Sequence, residues 1–193
     1  MKIKNKILNK KSIILKFINN ETISIHLETY YYLNLDKKDE IDLKLLKDTD
    51  AYYECLYYAL KIIKKRDYSQ KKLKEKLCVK FKKSTVNLVL IRLYELSLLN
   101  DDSSILNIID NLIKNNYGPN KIKAKLIEKG YNISDIDFDK FNYHIEACAQ
   151  KYLNIHKNEE DLCKLQQKLF RYLYNKGYNE YDIYTYLRNE FYK

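Results

Sequence analysis

The chain has 193 residues and a mass of 23.4 kDa, with 36 Lys and Arg against 26 Asp and Glu, so it carries +10 at neutral pH and has a pI near 9.2. Its apolar (46%) and charged (32%) fractions suit a chain that folds around a core, but three glycines (Gly118, Gly130, Gly177) and one proline (Pro119) exclude turn-rich all-β folds and any glycine-cradled nucleotide loop. No apolar run reaches the roughly 18 residues of a membrane-spanning helix, and the basic N-terminus lacks the apolar stretch and cleavage site of a secretory signal, so a cytoplasmic protein is expected.

In chain order, Ser12–Phe17 and Thr22–Leu27 are β-branched runs separated by Asn19-Asn20-Glu21, the pattern of a β-hairpin. In the second run Ile23, Ile25 and Leu27 alternate with Thr22, Ser24 and His26, which assigns His26 to a solvent face. Residues 28–35 read as a short helix or irregular segment, and Ile41–Leu46 as a short helix after Asp39 and Glu40. An isolated hairpin is marginal in water, so this piece must dock on something larger.

From Asp50 the apolar spacing becomes helical: Leu56, Leu60 and Ile63, then Leu73 and Leu77, then Val86, Val89, Leu90 and Leu93. Ser69 and Ser84 are candidate N-caps at the two breaks. The unit then recurs. Aligning Tyr68, Tyr117 and Tyr178 brings Leu60 and Ile63 into register with Ile109 and Leu112 and with Phe170 and Leu173. Downstream, Leu73 and Leu77 match Ile122 and Leu126, and Ile183 and Leu187. The expected organisation is mainly α: tandem three-helix repeats at 50–100, 101–148 and 149–193 in an extended curved array, after an N-terminal β-containing extension at 1–49. Tyr68, Tyr117, Gly118 and Tyr178 are the expected structural residues of the repeat junctions.

Lysines outnumber arginines 32 to 4, a bias consistent with A/T-rich codons, but codon choice does not decide where the net charge falls. Residues 1–50 carry +2, 51–100 carry +8, 101–150 carry −2 and 151–193 carry +2. Within Lys61–Lys83, eleven basic residues face only Asp67 and Glu75, a cluster able to attract a polyanion or an acidic protein groove.

Catalytic patterns are weak. His144 and Cys148 are spaced to share a helix face, with His156 and Cys163 beyond, but their spacing is unlike the close ligand pairs of zinc sites. Asp135, Asp137 and Asp139 lack the glycine and glutamate of a calcium loop, and Asp101 with Asp102 suits a helix start. The four cysteines, Cys55, Cys78, Cys148 and Cys163, read as small hydrophobes. The 20 tyrosines, several beside lysines, suit core packing and also base stacking.

The segment Ala59-Leu60-Lys61-Ile62-Ile63-Lys64-Lys65-Arg66-Asp67-Tyr68-Ser69, followed by Leu73-Lys74-Glu75-Lys76-Leu77, resembles the first repeat of the RecX family, regulators of the RecA recombinase. Leu93–Asp101 is similar to the family's closing helix and turn, Tyr117-Gly118-Pro119 and Leu126-Ile127-Glu128-Lys129-Gly130 to its second repeat, and Lys176-Gly177-Tyr178 to its third. Asp102-Ser103-Ser104-Ile105 and Cys78-Val79-Lys80-Phe81 depart from the usual pattern.

The resemblance implies a non-enzymatic, cofactor-free modulator in the groove of the RecA–DNA filament, limiting strand exchange, ATP hydrolysis and coprotease activity. The partner would be the RecA filament, with DNA contacted weakly or through it and no membrane, and the protein itself would be a monomer. The expected partner-binding residues are Lys64, Lys65, Arg66, Lys71, Lys72, Lys74 and Lys76, with Lys121, Lys123 and Lys125 on the equivalent helix of the second repeat. Two rivals come from other classes: a DNA- or RNA-binding protein of helix-turn-helix type, and a metal-dependent enzyme built on His144, Cys148, His156 and Cys163.

Overall fold

The two β-branched runs form strands Ser12–Phe17 (β2) and Thr22–His26 (β3), paired antiparallel with Ile13 opposite Ile25 and Leu15 opposite Ile23. A further strand, Ile3–Leu8 (β1), pairs with the other side of β2 and makes it the centre of a three-stranded sheet. Strand β1 gives little sequence signal because Ile3 is its one buried residue. Its outer edge is partly covered by residues 38–40, Ile3 N donating to Asp39 O at 2.7 Å and Lys6 Nζ to Lys38 O at 2.9 Å. The computed structural model describes residues 1–10, 12–65 and 68–191, and the chain divides into two units, 1–99 and 100–193. Among the described residues no helix is long and apolar enough to cross a membrane.

The central strand buries Ile13, Leu15 and Phe17, alternate residues and therefore one face. That face is covered by Leu33 and Leu35 after helix α1 (Leu27–Tyr32) and by Leu46 of helix α2 (Leu43–Ile63). The short helix expected at Ile41–Leu46 is the beginning of α2, which is capped by the Asp42 carboxylate accepting from Lys44 N and runs unbroken past residue 50. Asp50 explains why the sheet stays on this helix. Its Oδ1 accepts from His26 N at 2.7 Å and from the buried Thr29 hydroxyl at 2.8 Å, with His26 Nδ1 at 3.0 Å. His26 is therefore half-buried and stacked on Tyr57, whose hydroxyl donates to Glu28. The solvent face expected for it is occupied by α2.

Helices α3 (Gln70–Cys78) and α4 (Lys83–Glu95) complete unit 1, packing Leu73, Leu77, Val86, Val89 and Leu93 against Cys55, Ala59 and Ile62 of α2. Leu56, Leu60 and Ile63, the expected stripe, are half-buried beside that contact. Ser69 caps α3 by accepting from Lys72 N. Ser84 is not a cap, because α4 already begins at Lys83.

In unit 2, α5 (Asp101–Lys114) is capped by Asn100, with Asp101 and Asp102 in its first turn, and α6 (Pro119–Glu128) has its proline in the first turn, where no backbone N–H is missed. Ile105, Ile109, Ile122 and Leu126 share a core with Phe138 of a 3₁₀ turn, Phe138–Lys140. Helices α7 (Ile145–Ile155), α8 (Leu162–Lys176) and α9 (Glu180–Phe191) enclose a second core of Cys148, Ala149, Leu169, Leu173, Tyr178, Ile183 and Leu187. Helix α7 thus spans residue 148 and packs with the two helices after it.

The two junctions of unit 2 are joined through their backbones. Gly118 N donates to Lys176 O at 2.8 Å and Asn120 N to Gly177 O at 2.9 Å. A Cβ on Gly118 would sit 2.4 Å from Tyr178 N, and one on Gly177 would sit 2.4 Å from both Lys121 N and Lys121 Cβ. Gly177 also has φ of +94°, the left-handed helix cap that glycine adopts at least cost.

Gly177→Ala therefore combines strain with overlap and is expected to lower stability by about 2–4 kcal/mol in urea denaturation. Asp50→Ala, which leaves the His26 and Thr29 donors without their acceptor, is expected to cost about 2 kcal/mol. In hydrogen exchange its early loss of protection should centre on β3 and α1.

Candidate functional site

Helices α3 and α6 occupy the same place in successive repeats. Leu73 and Leu77 on one, and Ile122 and Leu126 on the other, are fully buried, so the residues between them form the outer face. On α3 that face carries exposed Lys71, Lys72 and Lys76 with half-buried Lys74; on α6 it carries exposed Lys121 with half-buried Lys123 and Lys125. Lys64 and Lys65 are exposed at the end of α2, and Arg66 lies outside the described residues.

These ammonium groups differ in how far they are already engaged. Lys72 reaches Glu75 at 3.9 Å, an exposed pair of little energetic weight. Lys64, Lys65, Lys71, Lys74, Lys121, Lys123 and Lys125 form no ion pair with described residues. Lys80, within the same basic cluster, is committed: Glu54 accepts from it at 2.7 Å and raises its pKa, and it lies over the rings of Tyr58 and Phe81.

The junction tyrosines turn the lysine faces into lysine–aromatic pairs. Lys76 lies eight residues after Tyr68, 5.4 Å from its ring centre, and donates to its hydroxyl at 3.2 Å. Lys125 lies eight residues after Tyr117, 4.2 Å from that ring centre. Lys176, which sequence reasoning missed, reaches the same ring at 4.7 Å from the end of α8, and Lys123 covers Phe138 at 4.9 Å. The only sequence clue to Lys176 was its place beside Gly177, and its role needs the backbone contact between junctions. Each junction tyrosine packs on the core of its own helices, and Tyr178 is buried outright. The third repeat breaks the pattern: positions equivalent to Lys72/Lys121, Lys74/Lys123 and Lys76/Lys125 hold Asp182, Tyr184 and Tyr186.

The histidine–cysteine grouping is not assembled into a metal centre. His144 and His156 flank the two ends of α7, Cys148 is buried and Cys163 is exposed. Among the described residues no group of three or more His, Cys, Asp or Glu is placed to hold a metal ion.

No family model matches the chain. It is 35% identical over 173 residues to the regulatory protein RecX of Clostridium perfringens strain SM101, covering 83% of this chain and 81% of the relative. It is 34% identical over 173 residues to that of Clostridioides difficile strain 630, covering 83% and 80%. Among solved structures, a crystal structure of regulatory protein RecX superposes with a TM-score of 0.75 over 98% of this chain and 99% of its own, at 19% identity. RecX from Lactobacillus salivarius gives 0.64 over 72% and 96%, at 20% identity. At those identities the structural likeness speaks for the fold.

Burial sorts the thiols into two classes. It pushes the Cys55 thiol up to about 11 and raises that of Cys148, whereas Cys78 and Cys163 are exposed. Because the thiolate is the reactive form, a disulfide reagent at pH 8 should modify two thiols rapidly. Cys55 and Cys148 should follow only in denaturant, and the residues can be identified by peptide mapping.

Proposed function

The chain belongs to the RecX family of regulatory proteins, and from that premise we propose that it modulates the RecA recombinase without catalysing a reaction itself. In this reading it lies in the groove of the RecA–DNA filament in the cytoplasm, acting as a monomer without a cofactor, and limits strand exchange, ATP hydrolysis and coprotease activity. The observation that carries the reading is the recurrence of unneutralised lysines at equivalent places on α3 and α6. A face presented more than once along a chain suits a partner that is itself periodic and acidic, as a nucleoprotein filament is. DNA contact is then weak and made through the filament. Lys64, Lys65, Lys71, Lys72, Lys74 and Lys76, with Lys121, Lys123 and Lys125, are the proposed contacts, and Arg66 completes the set.

A second reading is favoured by a separate observation, the lysines over the Tyr68 and Tyr117 rings. Paired cations and aromatics also suit direct binding of a nucleic-acid strand. DNA-dependent ATP hydrolysis by RecA, titrated with this protein while DNA is in excess, separates the two. Inhibition at substoichiometric ratio that excess DNA does not relieve supports the filament modulator, and inhibition that vanishes with added DNA supports the strand binder.

The triple variant Lys71→Glu, Lys72→Glu, Lys74→Glu reverses the charge of an exposed face while keeping the buried Leu73 and Leu77. It is expected to raise the concentration needed for half-inhibition by at least about tenfold, with the helical circular-dichroism signal unchanged. Undiminished inhibition by the folded variant would remove α3 from the contact.

A further inference from the structure

We propose that a cavity of about 480 Å³ in unit 2, between the start of α7 and the outer face of α9, binds a guanidinium or alkylammonium cation. Its walls include four tyrosines, Tyr143, Tyr178, Tyr181 and Tyr186, and its charge comes from Glu146, Asp182 and Glu190. No Lys, Arg or His is among the described residues that line it. The three carboxylates form no ion pair with described residues, although the chain as a whole carries ten excess positive charges.

The geometry favours an organic cation. Asp182, Tyr186, Asn189 and Glu190 recur at helical spacing and share one face of α9, whereas Arg188, two residues beyond Tyr186, falls on another. Two of the tyrosines have hydroxyls engaged away from the cavity: Tyr143 donates to Phe138 O at 2.9 Å, and Tyr178 to Asn116 O at 3.4 Å. Tyr178 is buried behind the cavity wall, and what the half-buried Tyr143 offers to the cavity is ring surface, whose negative π face attracts cations. Glu190 and Glu146 both bear on Tyr186, whose phenol is raised by burial first and then by these two carboxylates. The carboxylates are not gathered closely enough to hold a metal ion, but a planar guanidinium can pair with a carboxylate through two hydrogen bonds while stacking on a ring. The cleft opens to solvent along exposed Glu146, Asp182 and Glu190, so a ligand with an alkyl stem can lie on the rings while its charged ends reach the carboxylates.

The outer face of α9 therefore lacks the lysines of α3 and α6 and carries an acid at one of their positions. The helix positions that present Lys72 and Lys76, or Lys121 and Lys125, present Asp182 and Tyr186 here. The site extends beyond the RecA reading and does not depend on it.

The same chemistry reaches a protein from two sources, a basic side chain of another polypeptide or a free polyamine. Isothermal titration of the intact protein at low salt, with spermidine in one arm and the peptide amide Arg-Gly-Arg in the other, tests both. Saturable binding near one equivalent is expected in at least one arm. It should weaken about tenfold in the double variant Glu146→Gln, Glu190→Gln, and about threefold in Tyr181→Ala, whose side chain is exposed and dispensable for folding. Binding of spermidine alone identifies a free polyamine, and binding of the peptide alone identifies a basic protein segment. Absence of binding in both arms, or binding that survives the double variant, overturns the proposal. So does full retention in Tyr181→Ala, which would reduce the site to diffuse acidity.

Discussion

The close backbone approach of the junctions at Gly118 and Gly177 is the constraint on which the arrangement of unit 2 turns. Two hydrogen bonds, 2.8 and 2.9 Å long, join segments some sixty residues apart in sequence, and neither glycine has room for a Cβ. The approach brings the end of α8 beside the start of α6. As a result Lys176 and Lys125 meet at the single ring of Tyr117, and Tyr178 is driven into the core behind it. A contact made of backbone atoms is insensitive to most side-chain changes, so the surface around it is free to vary in charge.

That freedom is used unevenly along the chain. Exposed lysines elsewhere are partly paired, as Lys114 is with Asp110 and Lys140 with Asp137, while those on α3 and α6 are largely without an ion pair among the described residues. Like charges held together cost electrostatic free energy, and lysine–aromatic contacts offset a small part of it without discharging the ammonium. The outer faces of α3 and α6 are thus attractive to anions at long range, whereas α9, built on the same apolar frame, turns carboxylates outward.

Much of this organisation is legible in the order of the residues. The hairpin follows from two β-branched runs around Asn19-Asn20-Glu21, the second in strict alternation, and the repeat follows from apolar pairs that recur with a tyrosine ahead of them; Leu73/Leu77, Ile122/Leu126 and Ile183/Leu187 are all buried. Strand β1 escapes notice because an edge strand packed through one residue carries almost no period-two signal. The contact stripe of α2 is displaced by one residue from the expected one because its closest approach uses Cys55 and Ala59, small side chains with little weight in a hydrophobic pattern. His26 looks solvent-facing until α2 supplies a carboxylate from 24 residues away. The lysine faces can be read from α3 and α6 alone. Lys176 and the acidic cavity cannot, because each combines elements that only tertiary packing brings together.

Helix α2 has a further consequence. Its 21 residues extend about 30 Å, with Leu46 near one end completing the sheet core and Cys55, Ala59 and Ile62 completing the helical core. One continuous rod therefore belongs to both hydrophobic clusters, and fraying at either end withdraws side chains from a core. Loss of α2 accordingly dissolves both cores of unit 1, whereas β3 and α1 can still open locally where Asp50 holds them. During synthesis the sheet cannot complete its cover until the first turns of α2 have left the ribosome, so the amino-terminal strands wait, unfinished, for the helix that follows them.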